Sequence, residues 1–317
     1  MIFAEEDDEL IQIRANETLY QFDKTYGTLN AWERNNVPLI LKGPELNFWR
    51  AYTDNDKPIM LPKWQKAGYD HMMSRTSSVK LIKNKKSVKV QVLARIAPPG
   101  YHLWAVNAEY LYDFAADGSF TLTVTGKFQK EFYKEGAKAS LNIVTGTEAL
   151  PPLPRIGLTL RVPGEFSNAS WYGLGPGEAY SDTKTAQKVG YYKMPVDDMF
   201  TNYVRPQENG NRHEVRRMAL YDVKMCGLMV AGAPLFDFSA KHCTDQALDE
   251  AKHPHEIAPD DAVTLDLDWK QCGIGSGSCG PIPDEKYLIP AEDFSFSMKF
   301  RGLGPDELND DSFFTLL

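Results

Sequence analysis

Alternating apolar and polar positions dominate the chain. A period of two is typical of a β-strand with one buried face, because successive side chains of a strand point to opposite sides of the sheet. Five segments show it most clearly: SVKVQV (87–92), FTLTVTG (120–126), IGLTLRV (156–162), VTLDLDW (263–269) and FSFSMKF (294–300). We therefore predict a strand at each of them.

The N-terminal segment predicts a hairpin, since LIQI (10–13) and LYQF (19–22) flank the turn-prone RANET. Helical periodicity is scarce. One helix is predicted in TDQALDEAKH (244–253), with Thr244 or Asp245 as N-cap and Pro254 ending it, and a short one near LPKWQKAG. The proline run LPPLPR (150–155) indicates an edge connection rather than a flexible hinge. These elements predict an all-β fold, a large antiparallel β-sandwich.

Composition sets limits on partners and location. Of 317 residues, 43% are hydrophobic and 25% charged, which permits a sizeable core. The net charge of -8 argues against nucleic acid and against anionic membrane surfaces as partners. The acidic start MIFAEEDDEL lacks the features of a signal peptide, and no run of eighteen apolar residues occurs. We expect a cytoplasmic protein with no membrane span.

The four cysteines are sparse, and no pair has CxxC spacing. Reduced thiols are therefore expected, and Cys226 is expected to be shielded in the apolar segment MCGLMV. No metal site is predicted, because the histidines also lack the spacing of a ligand pair.

The stretch WYGLGPGEAYSDTKT (171–185) has two interpretations. It lacks the spacing of a phosphate-binding loop, and the simplest interpretation is a tight loop whose turn is fixed by Pro176. Alternatively, Trp171, Tyr172 and Tyr180 could present flat faces beside Glu178 and Asp182. Aromatic rings that stack and carboxylates that accept hydrogen bonds are what a sugar site uses.

Two further stretches also leave alternatives open. The segment MFTNYVRPQENGNRHEVRR (199–217) is crowded with charges and is either a solvated hairpin or a surface that docks another body. The segment CGIGSGSCGP (272–281) has four glycines after a predicted strand, so its backbone can approach a ligand closely. It is either a sharp corner of the sandwich or a wall of a pocket.

Six segments occur together in an order that resembles one family. They are FWRAYTDND, LPRIGL, WYGLGPGEAYSD, YVRPQENGNR, LDEAKHPHEI and GIGSGSCGP. This order is similar to that of the C-terminal domain of family 2 β-galactosidases, which is the separate small chain of heterodimeric members. The resemblance implies a β-supersandwich like that of galactose mutarotases, over residues 1–301, with a C-terminal tail at 302–317.

The resemblance also implies a role beside a (β/α)₈ barrel that carries the two catalytic glutamates. This chain shows no βαβα alternation and has no room for about 250 residues of barrel, so we assign no catalytic residue in it. The expected partners are the β-galactosidase catalytic domain or large subunit and a galactoside substrate such as lactose. No cofactor is expected in this chain, and any Mg²⁺ or Na⁺ is expected in the catalytic domain.

The resemblance assigns two loops to the galactose pocket. One contains Asp54, Asn55 and Asp56, and the segment after it, KPIMLPKW, is short beside the mobile loop of the best-known members. The other contains Ser278 and Cys279; many members have a sugar-stacking tryptophan at the position of Cys279. Four residues are expected on the surface that docks the catalytic domain, as a charge cluster mostly unpaired in the isolated chain: Arg205, Glu208, Asn209 and Arg212.

Two alternatives stay open. A stand-alone mutarotase-like enzyme would need a His near a Glu in the cleft, whereas adjacent His213 and Glu214 on a regular strand would point to opposite faces. A carbohydrate-binding module would show sugar affinity on its own. The sequence leaves the preferred galactoside, the oligomeric state and the choice between separate subunit and excised domain undetermined.

Overall fold

The computed structural model describes residues 2–84, 87–100, 104–129, 150–275 and 282–308. Within these ranges every strand pairing is antiparallel. The first sheet has the order β1-β2-β3-β4-β5. Its strands are β1 (Ile2–Glu6), β2 (Leu10–Ala15), β3 (Thr18–Asp23), β4 (Thr28–Arg34) and β5 (Val37–Pro38).

The second sheet has twelve strands. They are β6 (Lys42–Asn47), β7 (Met73–Lys83), β8 (Val88–Ala97), β9 (Ala105–Phe114), β10 (Ser119–Gln129), β11 (Arg155–Pro163), β12 (Asn168–Gly175), β13 (Lys188–Pro195), β14 (Arg212–Tyr221), β15 (Gly227–Lys241), β16 (Ala262–Gln271) and β17 (Phe294–Leu303). Its main path runs β13-β12-β14-β15-β17-β10-β9-β8-β7, and β16, β11 and β6 continue from β15 as a branch.

Strand β15 joins the two branches because it has two partners along its length. Residues 227–232 pair with β17, and residues 237–241 pair with β16. The sheet can therefore curl around a core, and the main apolar cluster spans both branches and the five-stranded sheet. Aromatic rings join the two sheets: the Tyr20 and Phe114 ring centroids lie 4.8 Å apart, and those of Trp32 and Phe120 lie 5.2 Å apart. The predicted large antiparallel fold is confirmed.

The five strongest strand predictions are confirmed as β8, β10, β11, β16 and β17, and the predicted hairpin is β2–β3. Asn16 at its turn has a φ of +52°, the left-handed conformation that tight hairpin turns require. Strand β17 runs two residues past Arg301, and the chain continues along the molecule, with Leu308 buried.

Three α-helices are present among the described residues: α1 (Met60–Ala67), α2 (Val196–Met199) and α3 (Asp245–Glu250). The Thr244 hydroxyl accepts a hydrogen bond from Ala247 N at 3.0 Å, so Thr244 is the N-cap of α3. Helix α3 ends at Glu250, before the predicted stop at Pro254. In these ranges no helix has the length and apolar character needed to cross a membrane.

Candidate functional site

Residues 53–56, where a pocket loop is expected, form a closed turn held by Asp56. The Asp56 carboxylate accepts hydrogen bonds from Thr53 N at 2.8 Å and from the Thr53 hydroxyl at 2.9 Å. It also accepts two from the Arg50 guanidinium, at 3.1 and 3.2 Å. Both partners of this ion pair are buried, Arg50 completely. Asp56 therefore stabilises the turn, and its oxygens are occupied within the chain.

Arg50 connects this turn to the start of the glycine-rich segment. It donates to the carbonyl oxygens of Cys272 at 3.0 Å and Gly273 at 3.3 Å. Burial alone would lower the pKa of Arg50, but Asp56 and nearby acidic groups raise it above its usual value. The cation is therefore retained in the interior, where a guanidinium can satisfy a carboxylate and two carbonyls together.

Asn55 and Asp182 hold the same segment from two other directions. Asn55 Nδ2 donates to Ile274 O at 2.9 Å. The Asp182 carboxylate accepts from Ile274 N at 3.1 Å and from Gly275 N at 2.8 Å. Gly275 has a φ of +78°, which favours glycine. The turn and the glycine-rich segment thus form one connected unit, defined here as the paired loops (residues 53–56 and 272–275).

The predicted pocket residues have different positions. Asp54 is half exposed and accepts from Arg205 at 3.3 Å, Asn55 is partly buried, and Asp56 is buried. Ser278 and Cys279 lie outside the described residues, so their assignment stays a prediction. Sequence reasoning missed Arg50 as a connector, although an arginine inside the apolar stretch NFWRAY was a usable signal.

The expectation of a mostly unpaired charge cluster is wrong. Glu208, Asn209 and Arg212 are buried within the chain, because the segment after Pro206 turns inward. Arg212 donates to Gly210 O at 2.7 Å, and its guanidinium lies 5.2 Å from the Trp171 ring centroid. Arg205 alone of the four stays partly exposed, over the Tyr52 ring and beside Asp54.

Glu208 belongs to a buried polar cluster beneath the paired loops. Its Oε1 accepts from Gln271 Nε2 at 3.2 Å and from the Tyr180 hydroxyl at 3.3 Å. Its Oε2 has no hydrogen-bond partner among the described residues. Burial raises the pKa of Glu208, although Lys241, Arg155 and Arg50 act in the opposite direction.

The aromatic sugar-platform interpretation of residues 171–185 is wrong. Trp171 and Tyr180 are buried in the core, and Tyr172 lies on the outer face, where Arg216 covers its ring at 5.5 Å. Alternation along β12 places neighbouring aromatics on opposite faces. Asp182 instead holds the glycine-rich segment of the paired loops.

His213 and Glu214 do not point to opposite faces as expected. A β-bulge interrupts β14 here, and Glu214 has a φ of +52°. As a result, His213 Nε2 lies 3.9 Å from Glu214 Oε1. His213 Nδ1 is 2.7 Å from Asp237 Oδ1, and Lys184 pairs with Glu214.

A family model described as "Beta galactosidase small chain" matches residues 14–300. The chain belongs to the β-galactosidase small chain family. Curated relatives include a β-galactosidase of Actinobacillus pleuropneumoniae, 28% identical over 92% of this chain and 26% of that protein. A β-galactosidase of Vibrio cholerae is 29% identical over 94% of this chain and 27% of that protein. The chain therefore spans about a quarter of the length of these relatives.

Among solved structures, a galactose 1-epimerase from Lactobacillus acidophilus matches with a TM-score of 0.45 and 8% identity, covering 96% of this chain and 98% of the other. Within the described ranges, no cluster of three or more His, Cys, Asp or Glu side chains has an arrangement suited to a metal ion.

Proposed function

We propose that this small chain completes the galactose pocket of a β-galactosidase that hydrolyses terminal β-D-galactosides such as lactose. In this proposal the chain docks on a catalytic (β/α)₈ barrel, as a separate subunit or as the C-terminal domain of a longer protein. The acid/base and nucleophilic glutamates of the retaining mechanism lie on that barrel, as does any Mg²⁺ or Na⁺.

The single observation that carries the proposal is the connection within the paired loops. The two segments assigned to one pocket are far apart in sequence, yet Arg50 and Asn55 fasten them to each other, and Asp182 holds the glycine-rich segment in place. A substrate-binding wall needs such support, because small errors of position cost much of the catalytic advantage. The loops would orient the sugar and exclude water, while proton transfer takes place on the partner.

The docking surface proposed here is the tip of the loop that follows α2, together with Asp54. Val204 at this tip is 89% exposed and Tyr203 is partly exposed. Gln207 Oε1 accepts from Asp54 N at 3.0 Å, which joins the tip to the paired loops. An exposed apolar side chain at the edge of a pocket is suited to burial against the catalytic domain.

The test uses this chain assembled with its catalytic chain. Asp182→Ala removes the carboxylate that accepts hydrogen bonds from Ile274 N and Gly275 N. If the loops bind the substrate and the transition state equally well, we expect KM for lactose to rise about tenfold, with a smaller change in kcat. Asp284→Ala is the matched control, because Asp284 is largely exposed and lies outside the paired loops. If both variants had the same KM and kcat as the wild type, the paired loops would not be part of the pocket.

A second candidate function rests on His213. Its approach to Glu214, with Asp237 on the other ring nitrogen, supplies the His–Glu pair that a mutarotase-like enzyme needs. Lys184, however, hydrogen-bonds Glu214 and lowers its pKa, which makes that carboxylate a weaker base. Polarimetry on α-D-galactose separates the two candidates: mutarotation by the free chain that is lost in His213→Asn would favour this one.

A further inference from the structure

A cleft of about 710 Å³, lined by no residue of the paired loops, lies between the β3–β4 turn, β6 and the face of β7–β9. Its volume is within the usual range for small-molecule sites. One end is closed by the β3–β4 turn, where the Thr76 hydroxyl donates to Tyr26 O at 2.6 Å. Gly27 has a φ of +66°, and an added Cβ there would lie 2.7 Å from Val92. The turn can therefore sit this close to the sheet only with glycine.

Polar side chains, among them Asp70 and Tyr112, line the cleft; Asp70 Oδ2 lies 3.6 Å from His71 Nε2. Asp70 Oδ1 is buried and has no hydrogen-bond partner among the described residues. Tyr112 also lines the cleft, and burial raises the pKa of its hydroxyl, so the group remains a donor. The Tyr110 hydroxyl accepts from Leu46 N at 3.1 Å. Polar side chains around a partly enclosed space favour an occupant with hydroxyl groups over an apolar one.

Aromatic and charged side chains restrict the occupant further. Trp49 and Tyr26 line the cleft, and Tyr26 is largely exposed at its edge. Flat faces beside hydrogen-bonding groups suit a sugar ring, which has both apolar faces and hydroxyls. The charged lining residues are Glu45, Asp70 and Arg75, and Glu45 already pairs with Lys42 at 2.7 Å. One cation against two carboxylates, in a chain of net charge -8, is unsuited to a phosphate or nucleotide.

We infer that this cleft binds a neutral mono- or disaccharide, at a site separate from the galactose pocket. Asp70 accepts from the sugar hydroxyls, Tyr112 donates to one of them, and Trp49 contacts the ring. The site needs no residue from a catalytic partner, since all the groups that carry it belong to this chain. Its existence is therefore independent of the function proposed above.

Titration calorimetry on the free chain tests the inference, with galactose, lactose and glucose as neutral probes and glucose 6-phosphate as the anionic one. We expect a Kd on the order of 1 mM for at least one neutral sugar, and weaker binding of the phosphate. Tyr112→Phe and Asp70→Asn should each weaken that binding about tenfold, because each removes a hydrogen bond or charge from the cleft. Both substitutions keep the shape of the side chain, and circular dichroism checks the fold.

The matched controls are Tyr191→Phe, on the outer face of β13, and Asp284→Asn; both side chains are exposed and neither lines the cleft. Both should bind the sugar like the wild type. Absence of binding at tens of millimolar sugar would overturn the inference, as would binding that Tyr112→Phe and Asp70→Asn leave unchanged. Binding that is lost in Asp182→Ala instead would place the sugar at the paired loops. Because no catalytic chain is present, failure here leaves the proposed β-galactosidase role untouched.

Discussion

Single buried charges determine how the paired loops are held. Arg50 is fully buried, yet its guanidinium contacts the Asp56 carboxylate and two carbonyl oxygens, those of Cys272 and Gly273. These carbonyls lie more than 200 positions beyond Arg50 in sequence. Removing such a group leaves its partners buried and unsatisfied, which is more costly than losing one surface ion pair. The residues that hold the paired loops are therefore interior ones, whereas Asp54 and Arg205 beside them are at least partly exposed.

Glu208 and Glu256 predict opposite pH dependences of stability. Burial raises the pKa of Glu208, so its contribution to stability is present below the ordinary value of 4.5 and is lost as pH rises through the folded value. Hydrogen bonds from His253 and from Lys252 N lower the pKa of Glu256 to about 2, so its contribution is present above 4.5 and is lost as pH falls.

As pH rises above 4.5, we therefore expect Glu208→Gln to gain stability relative to wild type. Glu256→Gln should lose stability relative to wild type as pH rises from about 2 to 4.5, and should change little above that. Urea unfolding at a series of pH values measures both. Parallel curves for the two variants would contradict this assignment of the two carboxyl groups.

The cysteines offer a second residue-scale prediction. The expectation that Cys226 is shielded in a strand is wrong, because it precedes β15 and is partly exposed. Cys272 and Cys243 are buried, and burial raises the pKa of Cys272 to about 12. We expect Cys279 to alkylate faster than both in the free chain, and galactose to slow that reaction in the assembled enzyme. Mass spectrometry after brief iodoacetamide treatment tests this, and an inert Cys279 would make its loop a structural corner.

At the scale of elements, the loop between α2 and β14 separates into an outward-facing part and a buried part. Its first part, with Val204 and Arg205, faces outward beside Asp54. Its second part carries Glu208 and Arg212 into the interior. The density of charge in this loop was visible in the sequence, but the direction of each side chain depends on contacts with Trp171, Tyr180 and Gln271, which are remote in sequence.

This division predicts different results for two arginine substitutions. Arg205→Ala should weaken assembly with the catalytic chain and leave the stability of the free chain nearly unchanged, because its ion pair with Asp54 is half exposed. Arg212→Ala should cost about 2–3 kcal/mol of stability, since it removes a buried cation and its contact with Trp171. Thermal unfolding of the free chain measures the effect on stability. Analytical ultracentrifugation of this chain mixed with the catalytic chain measures the effect on assembly. A large loss of stability in Arg205→Ala would contradict this division, because it would show that Arg205 also belongs to an internal network.

For the whole molecule, the strands could be predicted because each has a local period-two pattern and a buried face. The pairing of β15 with both β16 and β17 could not be predicted, since it depends on contacts between residues remote in sequence. The contacts within the candidate site could not be predicted for the same reason. The paired loops were assigned together from a resemblance of short segments, whereas the bonds that join them run from Arg50 and Asn55 to backbone oxygens of Cys272 and Ile274, more than 200 positions away in sequence.

The central claim is that this chain supports catalysis without performing it. The most direct measurement is hydrolysis of a chromogenic β-galactoside by the pure chain, by the catalytic chain, and by their mixture. We predict no turnover by this chain alone and restored turnover in the mixture, reduced when Asp182→Ala replaces the wild type. Turnover by the pure chain that disappears on substitution of one of its own carboxylates would contradict the account.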